Sequence, residues 1–223
     1  MSSLSVLWKL VGSATGQTLA MVFFSTIFSL VMGMPLGILL TVTSPEDQGG
    51  IIPHPVLNNI LGRIVNILRS FPFIILMIIL FPLSRLILGT SIGTAATIVP
   101  LSIAAAPFVA RVIETSLKEV DPGVVQAARA MGSTNSQIVF KVLIPEALPS
   151  LVSGVTLTII NLIGYSAMAG AIGGGGLGDL AIRYGYQRFR LDVMIVSVVV
   201  ILVLVEIIQV IGNKISAKLL ASR

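Results

Sequence analysis

Apolar residues fall in five long blocks along the chain, at 18–42, 64–83, 92–113, 151–172 and 193–211, with more polar stretches between them. A helix needs about 20 mostly apolar residues to cross a hydrocarbon layer, and each block approaches or exceeds that length with no charge or almost none. The pattern predicts an all-α polytopic membrane protein, a single transmembrane domain over 1–223 with five transmembrane helices. Several blocks carry helix-breaking residues: Gly33, Pro35 and Gly37 in the first, Pro72 in the second, Pro100 and Pro107 in the third. Membrane helices tolerate these because neighbouring groups re-satisfy the freed backbone. Small residues such as Ala104, Ala105 and Ala106 let helices approach closely. The first block is too long and begins too far along the chain for a signal peptide, and no small-residue cleavage site follows a short apolar core. It reads as a retained helix.

The polar stretches differ in kind. The one at 44–55 contains Pro and Gly and reads as a connector. The one at 114–150 has helix signals of its own. Asp121-Pro122 opens a helix, since Asp accepts from free backbone N–H groups and Pro fits the first turn. Val124, Ala127, Ala128 and Met131 recur at helical spacing as one apolar stripe, flanked by Lys118, Gln126 and Arg129. Gly132 supplies a stop, because helices often end on a left-handed residue. Thr134 followed by Gln137 matches a capping box, and Ile138, Val139 and Val142 continue a second helix until Pro145 and Pro149, which are expected to break the path into the fourth span. The stripe is small and shallow. Such a helix either lies on lipid headgroups or seats in a protein groove.

Composition narrows the classes. Charged residues make up 10% and apolar residues 55%, with mean hydropathy +1.03; a soluble domain carries about 25% charged residues. There is no Cys, and the single His, His54, sits in a proline-flanked loop, where solvent exposure is expected. Disulfides, Fe–S ligation and cysteine nucleophiles are excluded, and no cofactor or metal is expected. Lys and Arg number 14 against nine acids, but no basic run is interleaved with aromatics, so nucleic acid is not an expected partner. In a membrane protein basic residues mark the inner face. With the N-terminus outside and the C-terminus inside, that face holds Arg63, Arg69, Arg111, Lys118, Arg129, Lys141, Lys214, Lys218 and Arg223, against Lys9, Arg85, Arg183, Arg188 and Arg190 outside. This orientation is favoured by the totals, although Lys9, Glu46 and Asp47 around the first span argue locally for the reverse. It makes 114–150 cytoplasmic.

Gln126-Ala127-Ala128, three residues, Gly132, nine residues and then Val142-Leu143-Ile144-Pro145 resembles the EAA loop of ABC-importer permeases. Gln126 replaces the acidic residue of that pattern, Val142 its Ile and Ile144 its Leu. The stretches 69–85, 89–111 and 164–189 are similar to the methionine-uptake branch of the family, whose permeases have five helices per subunit and the type I importer fold. The resemblance implies a coupling helix that seats in a cleft of an ATP-hydrolysing subunit, with Asp121, Val124, Gln126, Ala127, Ala128, Arg129, Met131 and Gly132 as its residues. It implies a homodimer in a bacterial inner membrane, an ABC ATPase dimer as partner, and an extracytoplasmic methionine-binding protein that delivers substrate. It implies no bond chemistry in this chain.

Further positions are candidates for the passage. Asn161 lies one turn before Tyr165, and Tyr165 and Met168, three apart, share a helix face; Tyr and Met suit a thioether substrate. The run Gly173–Gly178, GGGGLG, is not a phosphate loop, because no Gly-Lys-Ser/Thr follows and no strand precedes it. It reads as a flexible outer connector, or as an outer gate or delivery contact with Arg183, Tyr184, Tyr186, Gln187, Arg188 and Arg190. Glu206 is the one acid well inside an apolar block; near the inner end, it reads as structural. An ion-gradient-driven secondary amino-acid transporter is the alternative, and it would show inverted repeats and paired polar residues at mid-membrane; the sequence displays neither.

Overall fold

The computed structural model describes residues 3–221, and among them the only regular elements are helices. In order these are α1 (Ser3–Val42), a 3₁₀ turn (Glu46–Gln48), α2 (Pro55–Ser70), α3 (Phe73–Leu88), α4 (Thr94–Lys118), α5 (Pro122–Ala130), α6 (Asn135–Ile138), α7 (Ile144–Gly170), α8 (Gly176–Leu180) and α9 (Leu191–Ala221). π-helical segments at Val139–Leu143 and Ala181–Tyr186 follow α6 and α8. Arg223, counted above among the inner basic residues, lies outside the described residues.

Among the described residues, four helical stretches are long and apolar enough to cross a membrane: Ser5–Val42, Thr94–Lys118, Asn135–Gly170 and Leu191–Ala221. The block at 64–83 is not one helix, contrary to expectation. It divides between α2 and α3, which are bent by 102° at Phe71-Pro72. The cause is local. Pro72 has no N–H to donate and disfavours the helical conformation at Phe71, so the tolerance expected of membrane prolines fails here. With its 16 residues α3 rises about 24 Å, short of a hydrocarbon layer of roughly 30 Å.

The opposite correction applies to 114–150. Helix α4 runs on to Lys118 and helical structure resumes at Asn135, so little irregular chain remains. Pro145 and Pro149 do not break the path: the stretch Asn135–Gly170 is continuously helical. Pro149 lies inside α7, and Pro145 is accommodated by a π segment ending at Leu143. Its wider turn, with the Ile144 amide donating to the Val139 carbonyl, relieves the clash between a proline ring and the carbonyl four residues back.

The residues group into two compact units. The first comprises residues up to 29, 71–105 and 158–209. Its interior holds Met21, Leu101, Leu162 and Ile163 in one cluster and Leu7, Val11, Leu177, Leu180 and Val193 in another. The apolar run of α9 stays largely unburied, with Ile195, Leu202 and Val203 exposed, as a lipid solvent permits.

The second unit comprises 30–70, 106–157 and residues from 210 on. Its core is built from Val109, Ile113 and Leu117 of α4 with Ile51, Ala128, Ile138 and Leu143. Gly33 and Gly37 of α1 let that helix lie directly on α4. A Cβ at Gly33 would stand 2.7 Å from the Ala106 carbonyl oxygen, and one at Gly37 2.7 Å from that of Ala110. This is the small-residue spacing by which membrane helices reach close contact. A buried carboxylate, Glu114, is paired by Arg111 at 2.6 Å and Lys118 at 2.9 Å. Arg111 also donates to Asn66 Oδ1 at 3.0 Å and the Gly62 carbonyl at 3.4 Å, tying α2 to α4. Unpaired, such a buried charge would be strongly destabilising.

Candidate functional site

Helix α5 takes its shape from its own sequence. Asp121 caps it, accepting from the Gly123 amide at 2.6 Å. Gly132 closes it at φ +80°, a conformation costly for residues with a Cβ. Thr134 and Gln137 complete a reciprocal capping box, the Thr134 amide donating to Gln137 Oε1 at 2.8 Å and the Gln137 amide to Thr134 Oγ1 at 3.3 Å. The short helix therefore starts and stops without help from distant residues.

The stripe read from the sequence divides into two faces. Ala128 is buried, in the core of the second unit with Ile51, Ile138 and Val139, and Val125 packs against it. Val124, Ala127 and Met131 point the other way and are exposed, Met131 at 79%. Gln126 is exposed as well. Arg129, expected as a polar flank, donates to the Ile51 carbonyl at 3.1 Å and pins α5 to the loop after α1. The arrangement is a small rigid knob: an anchored inner face of Val125, Ala128 and Arg129 and a free outer face of Val124, Ala127 and Met131. Ala128 and Arg129 thus hold the knob in place, and the sequence carried no signal separating their role from that of the outer face except the spacing of three between Val125 and Ala128.

The passage candidates lie on α7 in the first unit. Asn161, Gly164 and Met168 are exposed and, at spacings of three and four, form one face. Tyr165 is turned aside from it. Its ring is half-buried and stacked on Phe73, with centroids 4.3 Å apart and planes 7° from parallel. The structure therefore brings Asn161 together with Met168 and assigns Tyr165 a partner that sequence spacing could not supply.

The glycine run is not a flexible connector. Gly176, Leu177, Gly178 and Leu180 are buried. The Gly176 amide donates to Gln17 Oε1 at 2.8 Å and the Leu177 amide to Thr18 Oγ1 at 2.9 Å. Beyond it, Arg183 pairs with Asp179 at 2.6 Å, and Arg183 and Arg188 lie over the Tyr184 ring. Tyr186 and Phe189 are exposed. Glu206 is exposed on α9, and His54 is exposed after the turn.

Helix α5 is thus a short capped helix with one anchored face and one bare one, set in a chain of long apolar helices. A family described as binding-protein-dependent transport system inner membrane component matches residues 33–219. The chain belongs to this family. It is an inner-membrane permease component, not an enzyme. It is 52% identical over 201 residues, 90% of the chain and 88% of the relative, to the probable D-methionine transport system permease protein MetI of Vibrio cholerae. It is 47% identical to the methionine import system permease protein MetP of Bacillus subtilis, covering 96% of this permease and 93% of that one. Among solved structures, a chain of the inward-facing MetNI methionine ABC transporter matches with TM-score 0.93 at 48% identity, covering 98% of this permease and 99% of that chain.

Proposed function

We propose that this permease is the membrane-spanning subunit of an ATP-driven importer of methionine. Two copies form the translocation pathway, an extracytoplasmic binding protein delivers the amino acid, and a separate pair of ABC ATPase subunits supplies the work. The observation that carries this reading is the pairing of a locally capped, half-anchored α5 with high identity, over nearly the whole chain, to methionine permeases.

In this reading α2 and α3 together make one broken span, giving five, with the N-terminus outside and the C-terminus inside, in the type I importer arrangement. The outer face of α5, Val124, Ala127, Met131 and Gln126, seats in the ATPase. Asp121 and Gly132 fix the length of the knob, and Ala128 and Arg129 transmit its displacement to Ile51 and the core around α4. Substrate passes the Asn161–Met168 face of α7, flanked by Tyr165 on Phe73. The permease makes and breaks no bonds. It alternates between two packings, and ligands shift the balance only through their different affinities for each.

The test is reconstitution. Proteoliposomes holding the permease, its ATPase and the binding protein should accumulate labelled methionine only when ATP is supplied on the ATPase side. Accumulation driven by a proton or sodium gradient without ATP would overturn the reading.

A further inference from the structure

The second unit contains a hollow beside the coupling helix. One lobe, of about 490 Å³, is bordered by Glu119, Asp121 and Glu146 and by serine hydroxyls. The other, of about 340 Å³, is bordered by Arg69, Phe108, Arg111, Val112, Glu119 and Leu157, among others. Both lobes share Ser116, Glu119, Ser150 and Ser153. The smaller lobe lies at the low end of the usual range for small-molecule pockets, roughly 300–1,000 Å³, and it is open, with Arg69, Glu119 and Leu157 exposed.

Its charges are not equivalent. The Arg111 guanidinium is committed to Glu114, Asn66 and the Gly62 carbonyl. Arg69 has no hydrogen-bonding or acidic partner among the described residues; its guanidinium rests over the Phe108 ring at 5.9 Å. Glu119 accepts from the Ser150 hydroxyl at 2.5 Å, and that hydroxyl also meets Ser116 at 3.1 Å. No Lys or Arg pairs with Glu119 among the described residues. The lobe thus offers one uncommitted cation, one carboxylate without a cation, and an apolar wall of Phe108, Val112 and Leu157. A simple anion would leave Glu119 unanswered, and a simple cation would leave Arg69 so. A zwitterion with its two charges close together and an apolar tail satisfies all three surfaces.

We propose that this lobe is a second amino-acid subsite on the coupling-helix side of the permease. Arg69 receives the α-carboxylate, Glu119 with Ser150 receives the α-ammonium, and the Phe108–Leu157 wall receives the side chain. This rests on the reading of the permease as an importer of methionine. Glu119 stands two residues before the Asp121 cap of α5, so displacement of α5 moves the ammonium contact. Occupancy of the subsite and docking of the ATPase are thereby linked.

The absence of cysteine from the chain provides a local probe. In the assembled importer, in phosphatidylcholine nanodiscs without nucleotide, L157C carries the only thiol of this chain, and its alkylation is followed by mass. Methionine should slow alkylation saturably, whereas methionine methyl ester and N-acetylmethionine, each lacking one charge, should not. Arg69→Gln and Glu119→Gln should each raise the concentration for half-protection by roughly 10- to 100-fold, the loss of one charged hydrogen bond, and Arg69→Lys should recover part of it. Alkylation indifferent to methionine, in an assembly whose parent imports methionine, overturns the subsite and leaves the import reading intact. So does protection unchanged by both charge variants. Protection by phosphatidylethanolamine instead of methionine assigns the lobe to a lipid headgroup and likewise overturns it. Failure of the parent assembly to import methionine sinks the import reading instead.

Discussion

Two turns in this permease are both built on glycine, and they behave as opposites. Around α5 the backbone is completed from within a few residues: Asp121 serves Gly123, Thr134 and Gln137 serve each other, and the Gly132 amide donates to the Arg129 carbonyl. In the run after α7 the amides of Gly176 and Leu177 are completed from Gln17 and Thr18, 159 positions away in each case. The first turn is exposed on its outer face and the second is buried. A turn that satisfies itself can be carried as a unit against a partner. A turn satisfied from another helix belongs to a core, and displacing it exposes unpaired amides. Glycine content alone does not separate a moving part from a fixed one; the origin of the hydrogen-bond partners does.

The sharpest way to break this comparison is to add a side chain to each turn. A Cβ at Gly178 would overlap the Ala167 carbonyl oxygen, a backbone atom that cannot step aside, whereas nothing lies within 4 Å of a Cβ at Gly132. Gly178→Val should therefore destabilise the permease by more than about 3 kcal/mol, so that little monodisperse protein survives purification. Gly132→Val carries only the backbone strain of its positive φ, about 1–2 kcal/mol, and should purify in clearly higher yield than Gly178→Val while lowering methionine accumulated per ATP hydrolysed. Equal yields of the two variants would refute the distinction.

A second test separates the two faces of α5. Ala128→Trp overfills the core around Ile51 and Ile138 and should destabilise the isolated permease by about 2 kcal/mol, read as a fall in melting temperature. Met131→Asp should leave melting unchanged and weaken capture of the ATPase by about 2 kcal/mol, roughly thirtyfold in Kd. If Ala128→Trp melts normally and only loses the ATPase, the anchored face has been assigned to the wrong side of the helix.

What the sequence disclosed follows the same division. Four of the five apolar blocks, the Asp121 cap, the Gly132 stop and the Thr134–Gln137 box are local signals that the structure forms. Features set by distant residues were illegible. Beyond their spacing of three, Val125 and Ala128 have no sequence mark showing that they face inward, because Ile51, in the same core, comes from another segment. The π segment that precedes Pro145 has no compositional signature. At Phe71-Pro72 the tolerance of membrane helices for proline was assumed where the chain in fact turns by 102°. Tyr165 and Met168 share a face on paper, but Phe73 claims the tyrosine ring.

The finest test compares one hydrogen bond in each turn. Thr18→Val keeps the side-chain volume and removes the acceptor that the buried Leu177 amide has among the described residues. A buried donor left unpaired costs its full desolvation penalty, about 1–3 kcal/mol. Thr134→Ala also removes an acceptor, in this case for the Gln137 amide. That amide is exposed and water can replace the hydroxyl, while the Gln137 side chain still receives the Thr134 backbone amide. Loss of such a cap costs about 0.5–1 kcal/mol. Melting of the two purified variants should therefore rank Thr18→Val below Thr134→Ala. Methionine transported per ATP should fall little in Thr134→Ala, because half of the box still sets the start of α6. A reversed ranking would mean that the glycine run is solvated in the working permease, and the contrast between a self-completed and a borrowed turn would no longer explain which of them is free to move.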